Sequence, residues 1–121
     1  MRKEITFFMV RGPYDDESVY TALRLAQKAR EKKVNVNFFF YLTSTVVGNR
    51  GQKPAEYPPI EELVRDILKK GLKNPKADAI ACIKCTDARG VTNSQTEGII
   101  IGGLYDLMEW IRDTDKTIML S

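Results

Sequence analysis

The chain of 121 residues contains no histidine. The commonest metal ligand is therefore missing, and so is the usual general base for a serine or cysteine nucleophile. Cysteine is scarce, with two residues. Two thiols without an imidazole fall short of the four ligands of a structural zinc site. No metal and no cofactor is expected. No apolar run approaches the roughly 18 residues that span a membrane. The apolar stretch after Met1-Arg2-Lys3-Glu4 is also too short for a signal peptide. Neither charge sign is in large excess: 19 basic residues face 16 acidic ones, a net of +3. That is short of the basic footprint of a nucleic-acid binder, so no direct nucleic-acid contact is expected. These absences leave a cytoplasmic protein as the expectation. Thiols in that compartment stay reduced, so Cys82 and Cys85 are not expected to form a structural disulfide.

What is present is enough apolar material for a core, 43% of residues, in a length suited to one domain spanning 1–121. Ile5–Val10 predicts a buried strand stopped by Gly12-Pro13. Acidic residues at 15–17 suit the start of a helix running to about Lys33, with Val19, Ala22, Leu23, Ala26 and Ala29 on one face. Its basic last turns suit the negative end of the helix dipole. Val34–Leu42 alternates at first and then turns fully apolar, as a central strand would. Thr43–Pro58 predicts a long polar loop, a lid or docking surface or a plain solvated connection. A helix is expected over Pro59–Lys70 with Gly71 at its C-terminal cap. Asp78–Lys84 predicts a strand ending at Cys85, and Thr86–Thr96 a helical turn or two. Gly98–Ile101 and Thr117–Leu120 predict two short strands, with a helix after Gly102-Gly103 that turns Leu104, Leu107, Met108 and Ile111 inward. This alternation predicts a single-domain three-layer α/β/α fold with a mostly parallel five-stranded sheet.

In such sheets ligands bind beyond the carboxyl ends of the strands. Gly12–Asp16, Thr43–Pro58 and Cys85–Gln95 leave the first three strands and should meet at that edge. Cys85 is the candidate nucleophile among them. Arg89, four residues on, shares its helical face, and Gly12, Tyr14, Asp15, Thr86 and Asp87 are candidate pocket-lining residues. A cation and helix N–H groups would lower the thiol from about 8.5 toward about 6–7. Cys82 is a candidate resolving thiol, or an inert buried one. A thioredoxin-type Cys82-x-x-Cys85 dithiol is weighed lower, since that motif normally starts a helix rather than ending a strand. Gly102-Gly103 resembles a phosphate-binding turn or else reflects tight packing.

Four segments together resemble the DsrE/DsrF-like family, including its YchN-type members. They are Gly12-Pro13-Tyr14-Asp15-Asp16-Glu17 with Ala22–Ala26, the strand Val36–Phe40, Cys82-Ile83-Lys84-Cys85-Thr86-Asp87-Ala88-Arg89-Gly90, and Glu97-Gly98 through Gly102–Leu107 to Trp110-Ile111. The resemblance implies a five-stranded α/β domain assembled as a homotrimer or homohexamer. It implies that the cysteine at position 85 carries sulfur as a persulfide between donor and acceptor proteins. Cys82 matches a cysteine of some relatives only, and Thr43–Pro58 is longer and more polar than the matching segment of relay subunits. A small sulfur carrier working through Cys85 is the expectation. The other expectation is a non-catalytic oligomeric ligand- or protein-binding module of the same fold.

Overall fold

Asn35–Phe40 (β2) is buried at every position, as a strand with neighbours on both sides and layers on both faces must be. It is the middle strand of a five-stranded sheet ordered β4-β3-β2-β1-β5. The computed structural model describes residues 3–69 and 77–120. The other strands are β1 (Glu4–Met9), β3 (Ala77–Cys82), β4 (Ile99–Gly102) and β5 (Lys116–Leu120). All four pairings are parallel, so the sheet is wholly parallel. The helices are α1 (Ser18–Glu31), α2 (Ile60–Lys69), α3 (Ile83–Arg89) and α4 (Leu104–Asp113).

Period-two alternation sends neighbouring residues of each strand into different layers. Phe7, Phe38, Phe40 and Ala79 face α1 and α2, where Val19, Leu23, Val64 and Ile67 complete the larger core. Phe39 points the other way and clusters with Cys82, Cys85 and Leu107, with Phe8, Tyr41, Ile80 and Trp110 packed around them. The three layers are thus present, but they are unequal. Two helices of 14 and 10 residues cover one face, while Leu107 is the one buried residue of α4 on the other.

Several expectations change. The third strand does not extend to Cys85; it stops at Cys82, and α3 starts at Ile83. Of the α4 residues expected inward, Leu107 is buried but Leu104, Met108 and Ile111 are exposed. An isolated chain offers their stripe no second surface, whereas periodicity reports only that the stripe exists. The 43–58 segment is not a plain solvated loop. It begins in a 3-10 helix, Leu42–Val46, in which Ser44 and Thr45 are buried. The proposed cap Gly71 lies outside the described residues.

Candidate functional site

Cys85 occupies the third position of α3, and Cys82 its N-cap. The strand-to-helix turn therefore sets both thiols at the carboxyl end of β3. Cys85 is 8% exposed and Cys82 4%. Burial pushes the Cys85 thiol up. Against this, the nearby backbone N–H of Leu42 favours the thiolate and lowers it. The neighbouring Cys82 side chain, within hydrogen-bond reach, raises it, and the charge of Arg89 lowers it by the smallest amount. Burial wins, so the expected depression of this thiol toward neutral pH is overturned.

Arg89 is exposed, and its Nη1 donates to the Cys85 carbonyl oxygen at 3.2 Å rather than to the sulfur. A cation there stabilises the last turn of a short helix. Gly90, with φ 69°, ends that helix in the left-handed region where glycine is favoured. Thr86 is fully buried; it donates to Ile83 O at 3.0 Å and accepts from Thr92 Oγ1 at 2.8 Å. The Asp87 carboxylate accepts a short hydrogen bond from the same Thr92 hydroxyl. Both side chains fasten α3 to the following 3-10 turn at Thr92–Ser94.

The segments after β1, β2 and β3 do come together. A Cβ at Gly12 would lie 2.7 Å from Thr43 Cγ2 and 2.9 Å from the Asp15 carboxylate, so a larger residue there would have to displace one of them. The Asp15 carboxylate accepts the Gly12 N–H at 3.2 Å and closes that turn. Gln95 Nε2 donates to Thr45 O at 2.9 Å, and Arg50 N donates to Ser94 O at 2.7 Å. Tyr14 is tied to the start of α2 and to Gln52. Its hydroxyl donates to Gln52 Oε1 at 2.6 Å and accepts from Ile60 N at 2.9 Å, capping the start of α2. Tyr14 also lines an open groove of about 1030 Å³ with Tyr20, Arg24 and Tyr57, and Cys85 is not part of it. The Gly102-Gly103 turn is closed from within, since the Asp106 carboxylate accepts the Gly103 N–H at 2.9 Å. An anion there would meet that carboxylate, so the phosphate-turn expectation is overturned.

Two contributors have no mark in the sequence. Leu42, whose backbone N–H favours the Cys85 thiolate, takes φ 55°, a left-handed conformation rare for leucine. Gln52 carries its own knot. Its Nε2 donates to Val46 O, Val47 O and Asn49 O at 3.2, 2.8 and 2.9 Å, and its N–H reaches Glu61 Oε1 at 2.8 Å.

Comparison with known proteins matches this architecture. The chain is 34% identical over 110 residues to Protein YchN of Escherichia coli, covering 88% of this chain and 90% of YchN. It is 32% identical over 115 residues to an uncharacterised protein of Methanopyrus kandleri, covering 94% and 91%. Its fold superposes on the crystal structure of E. coli YchN with a TM-score of 0.86, at 29% identity and covering 99% and 100%. A protein of unknown function from Bacteroides thetaiotaomicron shares the fold at a TM-score of 0.74 and 17% identity, covering 98% and 95%. The model of the DsrE/DsrF-like family matches residues 3–120, and the chain belongs to that family.

Proposed function

We propose that the chain is a small sulfur carrier that holds persulfide sulfur on Cys85. One observation carries this: the backbone N–H of Leu42, a residue held in the left-handed region, acts on the Cys85 thiol so as to favour its anion. Left-handed non-glycine residues cost on the order of 1–2 kcal/mol. Such strain concentrates where a backbone group must point at chemistry. An N–H donor stabilises a thiolate or a terminal persulfide anion in the same way that it stabilises an oxyanion.

The Cys85 thiolate, its proton released to solvent, attacks the outer sulfur of a donor persulfide R–S–SH. The donor S–S bond breaks, R–S⁻ leaves, and Cys85–S–SH forms. An acceptor thiolate then takes the outer sulfur and returns Cys85 to the thiol. The raised thiol does not forbid this. Each unit upward lowers the thiolate fraction about tenfold but raises its intrinsic nucleophilicity about threefold. The net cost is about three- to fourfold per unit.

The exposed apolar stripe of α4 supports a homo-oligomer as the working form, and donor and acceptor proteins are the partners. A non-catalytic binding module of the same fold is the second reading. It is favoured by the 8% exposure of Cys85 and by an Arg89 guanidinium that serves a carbonyl. Intact mass spectrometry after incubation with a persulfide donor separates the two. Under the carrier reading the wild type gains about 32 Da, one sulfur atom, and Cys85→Ser does not. No gain in the wild type, or an equal gain in Cys85→Ser, leaves the binding module standing.

A further inference from the structure

Cys82 and Cys85 are the two cysteines of the chain, and both are free. The expectation that the pair merely ends a strand is replaced by a different placement: N-cap and third residue of one helix. Residues so spaced on an α-helix have Cα atoms about 5 Å apart. A disulfide accepts a Cα spacing of about 4.4–6.8 Å. The two side chains belong to one buried cluster with Phe39 and Leu107, close enough that Cys82 raises the Cys85 thiol. The extended backbone of Cys82, at φ −67° and ψ 126°, leaves its side chain outside the helical turn. Closure then needs side-chain rotation and no unwinding of α3. A bridge across so short a loop removes little unfolded-chain entropy. It would not act as a structural staple, and a weakly stabilised disulfide is a readily reducible one.

We infer that Cys82 and Cys85 form a reversible dithiol–disulfide couple, closed across the first turn of α3, which switches the Cys85 thiol off. The couple stands whether or not Cys85 carries sulfur. The oxidant is a low-molecular-weight disulfide, RSSR. The Cys85 thiolate attacks it, one RSH leaves, and Cys85–S–S–R forms. The Cys82 thiolate then attacks the Cys85 sulfur and expels the second RSH. The two cysteines lose two electrons in all, RSSR gains them, and the two thiol protons end on the two RSH. Cys85 is the first attacker because it is the more exposed of the pair.

The test is a titration of the folded wild type in glutathione buffers of increasing oxidised fraction, read by intact mass and by thiol alkylation. The wild type should lose about 2 Da, lose both alkylatable thiols, and recover them with dithiothreitol. Cys82→Ala should instead retain glutathione on Cys85, a gain of about 305 Da. Cys82→Ser serves the same purpose should the alanine variant fail to fold, which far-UV circular dichroism reports. Three outcomes overturn the couple: a folded wild type that stays a dithiol while its urea-unfolded control oxidises, a wild type that accumulates the glutathione adduct as the variants do, or a disulfide linking two chains. Persulfide loading is a separate measurement, so either result can fail without the other.

Discussion

At Cys85, burial raises the thiol and the Leu42 N–H lowers it, and burial is the larger influence. The folded chain therefore holds this proton more tightly than the unfolded chain does. That contribution to stability is complete below about pH 8.5, where an ordinary thiol begins to ionise. It is lost as pH rises through the higher folded value. Urea midpoints of the wild type should fall between pH 8 and pH 10, and more steeply than those of Cys85→Ala. Parallel slopes would mean that the thiol is not held protonated by the fold. Comparing slopes removes the constant packing cost of the substitution. Alkylation of the folded wild type by iodoacetamide should likewise accelerate only at and above about pH 8.5. A rate already at its plateau by pH 7 would contradict the burial seen here. The same residue shows where sequence reasoning ran short. A cation four residues away on a helix is legible from spacing, but whether its guanidinium reaches a sulfur or a carbonyl is decided by rotamers and packing.

In the segment between β2 and α2, one side chain satisfies several backbone groups at once. Gln52 spends its amide on three backbone carbonyls and its N–H on Glu61, while Tyr14 receives the N–H of Ile60 and donates to Gln52. Removing that amide takes a donor from the Val47 and Asn49 carbonyls, while Val46 O keeps the Asn49 N–H, at about 1–3 kcal/mol. Gln52→Ala should destabilise the fold by that amount in urea titrations. It should also speed amide exchange over residues 42–52, while exchange in β1 and β2 changes only by the global loss. Uniform acceleration across the chain would show that the knot acts on overall stability alone. The polar composition of 43–58 correctly signals a connection without regular strands. It does not reveal that one glutamine satisfies the backbone there, because any of several polar residues could have done so.

Across the whole molecule, the two faces of the sheet are covered unequally. The α1–α2 face holds the larger core. On the other face Ile100 and Met119 sit on the two edge strands, and Leu104, Tyr105, Met108 and Ile111 line α4, all of them exposed and Tyr105 to 90%. Apolar patches of this kind mark contact surfaces. If the working form is an oligomer, light scattering on the wild type should give a mass several times that of one chain, and Tyr105→Glu with Met108→Glu should lower it toward the monomer. A monomeric wild type at micromolar concentration would remove the assembly from the proposed function. Among the described residues, no helix is long and apolar enough to cross a membrane.

The sequence by itself determined the order of strands and helices, the parallel sheet, and the buried centre at β2. Hydrophobic periodicity is a local property, and crossover connections leave few topologies to choose from. It also brought the three post-strand segments to one edge, because parallel strands place all their carboxyl ends on the same side. Only the tertiary structure decided the state of the site. The end of β3 came three residues before Cys85, so the thiol entered a helix and a buried cluster instead of an open mouth. The left-handed Leu42 backbone, the shared burial of Cys82 and Cys85 with Phe39 and Leu107, and the turn of Arg89 toward a carbonyl all depend on how the chain packs in three dimensions. No spacing along the chain encodes that.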